Sequence, residues 1–331
     1  MPLPIEALKS VQTIYVHKNC PDGTVSAMLL KQALDRPVVF LQYGTEEYTN
    51  LQAVPGMLFC DTTPPHDRAQ EFVDAGAIVL DHHKGAQAIV AMFGDRGVFA
   101  DEVAEPGVCG AVLAYREVWV PLLGPDGGVE DFAKLAGIRD TWQTKNPRWN
   151  EACAQASWVM FFGEEECLKA PIFGDSERWV FRQSVGDMLF AEHMRKITKA
   201  VDGSFRTSIH GLRVAILQGA SNSSDSAEML GEDSEVDIVV GFSYYDEGEE
   251  GREQWSPEFS KGLKLICSCR TRTAFDVSKL AKSYGGGGHT RAAGFTLPVE
   301  EGHYNPYLRI LELIDNYIVK NQDKLPANLR G

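Results

Sequence analysis

The sequence predicts an α/β protein. An N-terminal, mostly parallel sheet is covered by helices on both faces, and a long connecting helix joins it to a smaller C-terminal α/β domain with a mixed sheet. Three observations predict this. Short apolar runs between residues 11 and 83 alternate with amphipathic stretches of crossover length. One amphipathic stretch, 176–201, is long enough to connect two domains. A second set of β-rich runs follows it. The 331 residues allow about two domains at roughly 150 residues each.

In chain order, VQTIYVH (11–17), PVVFLQY (37–43), GMLFCD (56–61) and AIVLDHH (77–83) are short and rich in β-branched and aromatic residues, and read as buried strands. Thr24–Leu34 and Pro65–Ala75 read as the helices of βαβ crossovers, which cover both faces of a parallel sheet. The run from Gly107 to Pro121 reads as a helix, GPDGG (124–128) as a turn, and the region near Glu130–Leu135 as another helix. The connecting helix, from Ser176 to Val201, ends at Asp202-Gly203. LRVAILQ (212–218), VDIVVGFSYY (236–245) and KLICSCRTR (264–272) form the second strand set, and the acidic YYDEGEEGREQWSPEF between the last two reads as an exposed hairpin loop. The expected divisions are a domain over 1–175, a connecting helix over 176–205 and a second domain over 206–331.

Composition bounds the function. Apolar residues make up 44% and charged residues 24%, an ordinary globular balance. No run approaches the roughly 18 apolar residues of a membrane span, and MPLPIEALKSVQTIYVH lacks the pattern of a signal peptide. Seven cysteines without a framework point to a reducing compartment, so the expectation is a soluble, cytoplasmic protein with no membrane partner. Asp plus Glu number 46 against 32 Lys plus Arg, a net charge of −14. A long nucleic-acid duplex binds such a surface poorly, because its affinity comes from cationic side chains that release counterions. A small anion can still bind where cations or arginines are concentrated locally. A homodimer is in keeping with the sequence.

The chemistry-bearing residues sit where the first-domain strands end. His17 ends the first and is followed by Asp22; Asp61 ends the third, and Asp81-His82-His83 the fourth. Ligands of open α/β sheets bind beyond these carboxyl ends. Asp140, in LAGIRDTW, can return to the same edge from an apolar helix. Mixed carboxylate and imidazole donors suit Mn²⁺, Fe²⁺ or Zn²⁺ better than Mg²⁺ or Ca²⁺. Singly, each Asp is more ordinarily a cap or turn residue, and the weight lies in their joint placement. A second element, GGGGHTRAAGF (285–295), offers backbone N–H groups with His289 and Arg291 for an anion, with Arg270 and Arg272 sharing one face of the strand upstream. A plain turn before a strand is the alternative for the glycines alone.

DHHK (81–84), with Asp22 and Asp61 upstream and Asp140 downstream, resembles the DHH phosphoesterase family. CRTRTAFDVSKLAKSYGGGGHTRAAGF resembles its associated DHHA1 substrate-binding domain, and the two together span nearly the whole chain. The resemblance implies one or two divalent cations, usually Mn²⁺, with Zn²⁺ or Co²⁺ as alternatives. It implies that Asp61 bridges two cations, that Asp22, His82 and Asp140 complete one site, and that His17 serves the other. Asp81 would orient the neighbouring imidazole, and His83 would contact the scissile phosphate or assist proton transfer, so that Asp81, His82 and His83 are the catalytic residues. Arg270, Arg272, Gly287, Gly288 and His289 would hold the rest of the substrate.

The first motif departs from the family pattern of His, three residues, Asp, one residue, Asp. In HKNCPDG, His17 precedes Asp22 by five positions and Cys20 stands where the first Asp belongs. Either Cys20 is a thiolate ligand that favours a softer metal, or it is a buried cysteine without a metal role. The implied activity is metal-dependent hydrolysis of phosphodiester or phosphomonoester bonds in short oligonucleotides or nucleotides, in a cleft between the two domains. This is nanoRNase-like, or alternatively a 3′-phosphoadenosine 5′-phosphate phosphatase or a cyclic-dinucleotide phosphodiesterase. A non-catalytic nucleotide-binding protein with a degenerate metal site is the reading from another class.

Overall fold

The computed structural model describes residues 3–169, 176–219, 223–231, 236–246, 263–299 and 305–321. They divide into two compact units, Met1–Glu192 and His193–Gly331, with the division falling inside a long helix.

In the N-terminal unit, α1 (Ile5–Lys9), β1 (Thr13–His17), α2 (Pro21–Leu34), β2 (Val38–Leu41) and α3 (Glu46–Thr49) come first. Then follow β3 (Met57–Cys60), α4 (Ala69–Asp74), β4 (Ile78–Asp81), α5 (Gln87–Ala91) and β5 (Gly97–Phe99). The five strands form one parallel sheet in the order β2-β1-β3-β4-β5. Successive side chains of a strand point to opposite faces, and each face here has its own core. Ile14, Val16, Leu58, Cys60, Ile78 and Leu80 pack on α2 and the later helices. Tyr15, Met57, Phe59 and Val79 pack on Phe72 of α4 and Val90 of α5. Both faces being covered explains why the strands read as unbroken apolar runs.

The later helices are α6 (Gly110–Ala114), which runs through a π-helical turn at Tyr115–Trp119 into α7 (Val120–Leu123), then α8 (Gly127–Asp140) and α9 (Trp149–Lys169). The helix expected from Gly107 opens at Gly110 instead, because its first amides meet a carboxylate from α2 there. The long helix α10 (Ser176–Asp202) follows.

The C-terminal unit holds a six-stranded mixed sheet in the order β10-β11-β9-β8-β7-β6. Its strands are β6 (Phe205–Ile209), β7 (Leu212–Gln218), β8 (Ile238–Asp246), β9 (Leu263–Thr271), β10 (Gly287–His289) and β11 (Ala292–Pro298). Only β7 and β8 pair in parallel; the other neighbours are antiparallel. One face packs on α12 (Val277–Ser283) and α13 (Pro306–Lys320) through Val240, Cys267, Phe295, Leu280 and Ile314. On the other face, α11 (Ser223–Gly231) and the end of α10 cover Ala215, Leu217 and Val239. Most of the acidic hairpin sequence, 247–259, lies outside the described residues. No helix of the described residues is long and apolar enough to cross a membrane.

Candidate metal centre

The N-terminal strand order reverses between β1 and β3, and a parallel sheet of this order binds ligands at the carboxyl ends of the strands beside that reversal. His17 closes β1, Asp61 follows β3 and Asp81 closes β4, so the pairing of three strands sets these side chains along one edge. Asp61 has φ +58°, a left-handed conformation that Asp and Asn adopt more readily than most residues. Its N–H still donates to Leu80 O at 3.0 Å, which ties the residue to β4.

Asp22 enters from the first turn of α2 and is 1% exposed. Its Oδ2 accepts from the Gly110 N–H at 2.6 Å and its Oδ1 from the Ala111 N–H at 2.8 Å. The start of α6 has amides with no intrahelical partner, and its own N-cap, Cys109, makes no side-chain bond to them. The Asp22 carboxylate serves instead. Asp140 is the last residue of α8, which stops just beyond it at Trp142, with φ +55° and the Arg139 guanidinium 4.3 Å over its ring.

His82, from the segment after β4, is where these elements meet. Its Nε2 lies 3.3 Å from Asp61 Oδ1, 3.5 Å from Asp140 Oδ2 and 3.7 Å from Asp22 Oδ2. One imidazole nitrogen therefore faces carboxylates from three separate elements. Asp81 Oδ1 accepts from the His83 backbone N–H and from its ring Nδ1, both at 2.8 Å. The imidazole that Asp81 orients is thus that of His83. His17 Nδ1 stands 3.8 Å from Asp61 Oδ2.

The electrostatics follow from this crowding. Burial, and then the Asp22 charge, push the Asp61 carboxyl well above the usual carboxylate range. The same two causes raise Asp140 to about 6, against opposing pulls from His82 and His83. Burial works against a charged His83, but the Asp81 hydrogen bond and the Asp61 charge outweigh it and hold its pKa up to about 9. His17 is shifted down by burial and by His83. Burial and the Asp61 and Asp22 charges drive the Cys20 thiol far up.

Among the described residues, three donor groups lie within coordinating reach: Asp22, His82 and Asp140; Asp61, His82 and His83; and His17, Cys20 and Asp61, with the ligand atoms of each within 4.8 Å of one another. Asp61 Oδ2, His17 Nδ1 and His82 Nδ1 are buried and make no hydrogen bond within the protein. Buried polar atoms are ordinarily satisfied, and a carboxyl oxygen left over beside two other donors fits a divalent cation. The residues present fit one or two such ions.

All five metal-ligand candidates, His17, Asp22, Asp61, His82 and Asp140, are brought together. The amides of Gly110 and Ala111 that hold Asp22 escaped the sequence reading. So did Tyr43, whose ring stands edge-on to His17 at 5.6 Å and whose hydroxyl accepts from Thr63 N–H at 3.1 Å. The Cys109-Gly110 pair opening an apolar helical run was the available signal.

In the C-terminal unit, Arg270 and Arg272 both reach α11. Arg270 Nε donates to Ser224 Oγ at 2.9 Å and its Nη1 to Ser268 Oγ at 3.0 Å. Arg272 is ion-paired with Glu228, one helical turn further along. Gly287, Gly288 and His289 form the exposed outer strand β10. Gly288 has φ +132°, and a Cβ there would lie 2.5 Å from Ala292 O, whereas a Cβ on Gly287 meets nothing within 4 Å. Gly288→Ala is therefore expected to destabilise the β10–β11 hairpin and Gly287→Ala to leave stability unchanged, as thermal melts of both variants will show. Equal losses in the two would overturn this reading.

No curated protein sequence matches the chain at a significant level. The DHHA1 domain family matches residues 211–320. Among solved structures, the exonuclease RecJ bound to manganese aligns at a TM-score of 0.55 with 14% identity, covering 100% of this chain and 97% of that one. The DHH domain of a member of the S1p family of ribosomal proteins aligns at 0.58 with 15% identity, over 95% of this chain and 88% of that one. RecJ from Thermus thermophilus in complex with Mn²⁺ aligns at 0.52 with 16% identity, over 96% of this chain and 53% of that one, so the chain spans about half its length. At these identities the likeness is one of fold. Residues 211–320 are thus a DHHA1 domain, and the N-terminal unit gathers on one sheet edge the residues whose motifs resemble those of the DHH phosphoesterases.

Proposed function

We propose that the protein is a cytoplasmic, metal-dependent phosphoesterase that hydrolyses short oligonucleotides or nucleotides. The observation that carries this reading is the meeting of Asp22, Asp61 and Asp140 on one nitrogen of His82, with Asp61 Oδ2 buried and unsatisfied beside them. In this reading Asp22, His82 and Asp140 would hold one divalent cation, with Mn²⁺ the expected ion there, and Asp61 and His17 would contribute to a second. Such ions, when bound, lower the pKa of water and offset charge on phosphoryl oxygens.

The chain's own residues supply the rest. Asp81 keeps a proton on His83 Nδ1 and, with its charge, favours the imidazolium, so His83 Nε2–H can donate to a phosphoryl oxygen or to the leaving oxygen near neutral pH. The Gly110 and Ala111 amides hold Asp22 in place without help from substrate. In the DHHA1 domain, Arg270 with Gly287, Gly288 and His289 contacts the non-reacting part of the substrate. Arg272 contributes less to binding an anion, since Glu228 already offsets its charge.

The test is turnover of a small panel with Mn²⁺, using Asp61→Asn as the blank. The panel holds di- to pentaribonucleotides, their deoxy counterparts, linear and cyclic dinucleotides and 3′-phosphoadenosine 5′-phosphate. Mononucleotide release from the short RNAs supports a nanoRNase, and phosphate release from the bisphosphate alone supports a nucleotide phosphatase. Silence with every cation, together with measurable nucleotide binding, would replace the enzyme by a binding protein. On the active substrate, Arg270→Ala is expected to raise KM about tenfold or more with a smaller fall in kcat, the pattern of a residue that binds without taking part in the chemistry.

A further inference from the structure

We propose that His17, Cys20 and Asp61 form a thiolate metal site, selective for a thiophilic divalent cation such as Zn²⁺ or Co²⁺ over Mn²⁺. The inference rests on the reading of this sheet edge as a metal centre and assigns the ion that its His17 side takes. The three ligand atoms lie within 4.8 Å of one another. Cys20 does not stand alone there: Asp61, 1% exposed, directs into the same space an Oδ2 that has no hydrogen-bond partner, and His17 Nδ1 is likewise buried and unsatisfied 3.8 Å from it.

The backbone fixes the sulfur in this position. Cys20 is the N-cap of the 14-residue helix α2, with Pro21 locking the first helical turn behind it. Its side chain makes no capping hydrogen bond of normal geometry, although that is the usual role at this position, and the Gly23 amide is the backbone N–H that approaches its sulfur. Thr24 N and Thr24 Oγ1 both donate to the Cys20 carbonyl, at 3.0 and 2.9 Å. Asn19, at φ +54°, donates its N–H to Glu164 at 2.6 Å. Gly23 lets the His17 carbonyl approach to where a side chain would be, since a Cβ there would lie 2.2 Å from that oxygen. Residues 17 to 23 thus form a tight loop that holds imidazole and thiol on one side of Asp61.

One nitrogen, one sulfur and one carboxylate oxygen are a donor set for Zn²⁺ or Co²⁺, whereas Mn²⁺ prefers oxygen and imidazole. Binding breaks the S–H bond and forms a sulfur–metal bond, with the proton passing to solvent: Cys–SH + M²⁺ → Cys–S–M⁺ + H⁺. The Asp22, His82 and Asp140 group contains no sulfur, so the two halves of the centre differ in the cation they favour.

The experiment is a Co²⁺ titration of the full chain, followed by its thiolate-to-metal absorption in the near ultraviolet and by bound-metal analysis, with turnover measured separately. Wild type is expected to show the charge-transfer band, and Cys20→Ser to lose it while still binding cobalt at the sulfur-free group. In competition, Cys20→Asp is expected to lower the Zn²⁺-over-Mn²⁺ preference at least tenfold. Cobalt bound to wild type without the band, or an equal band in Cys20→Ser, would overturn the proposal. A band without turnover on any substrate leaves the thiolate site standing and removes the enzymatic reading. Turnover without a band does the reverse.

Discussion

Replacing Asp61 by Asn is expected to reduce cation-dependent turnover by about 10³-fold or more and, in chelator, to give a protein that melts higher than the parent. The first effect follows from the position of Asp61 in two of the three donor groups. A bound cation supplies several kcal/mol of charge stabilisation, and each 1.4 kcal/mol or so is a factor of ten in rate. The second follows from the crowding of carboxylates that the cation would otherwise offset. Asp140, raised to about 6, binds its proton more tightly in the folded than in the unfolded chain. A group raised in this way gives its full stabilisation below the unfolded pKa, near 4, and loses it as pH rises through 6. The loss is on the order of 2–3 kcal/mol for a shift of about two units. Asp61 carries the same liability, its carboxyl being pushed well above the carboxylate range by burial, Asp22 and Asp140, and the neutral amide of Asn removes it.

Thermal melts in chelator at pH 4.5 and pH 8 check this. The variant should exceed the parent at pH 8, the gap should close at pH 4.5, and added cation should raise the parent more than the variant. A variant that melts below the parent at pH 8, or that keeps more than a few per cent of turnover, would remove Asp61 from the centre. Asn is the right substitution, because it tolerates the φ of +58° at this position. Alanine there would add backbone strain of about 1–2 kcal/mol and confuse the comparison.

Gly110→Ala is expected to cost about 1–3 kcal/mol of stability and at least tenfold in metal affinity. A Cβ at this position would lie 2.5 Å from Asp61 Cβ, 2.9 Å from Asp22 Oδ2 and 3.0 Å from Ser26 Oγ. None of these neighbours is the free end of a flexible chain, since Asp22 is held by the amides of residues 110 and 111 themselves. Yielding to the methyl group means displacing the carboxylates from His82. Calorimetric cation titrations of the variant and the parent decide the point, and an unchanged affinity would show that the packing gives way elsewhere.

The sequence went furthest where local pattern and burial coincide. The runs at 11–17, 37–43, 56–61 and 77–83 each contain a strand, because a parallel strand buried on both faces must be apolar throughout. The three-residue β5 and the exposed β6 carry too little of that pattern to be seen beforehand, and α9 lies in a stretch from which no helix was expected. The glycine-rich segment shows a mixed outcome. Gly288 is required by the close approach of β11, as a plain turn-and-strand reading expects, while Gly287 has open space around it that packing does not explain.

By itself the sequence determined which residue types stand at the strand ends, hence that His17, Asp22, Asp61, Asp81, His82, His83 and Asp140 were the candidates. Strand ends are local features, and a polar residue that closes an apolar run is visible without knowing its neighbours. Only the tertiary structure decided which of them meet. The order β2-β1-β3-β4-β5 puts β1 beside β3 and β3 beside β4, and lateral hydrogen bonding between distant segments, which no local pattern encodes, brings His17, Asp61 and His82 together. The same holds for Asp22, whose partners lie 88 and 89 residues along the chain on the first amides of α6. The unpaired amides of a helix end can be supplied from any part of the fold, and here a metal-ligand candidate supplies them.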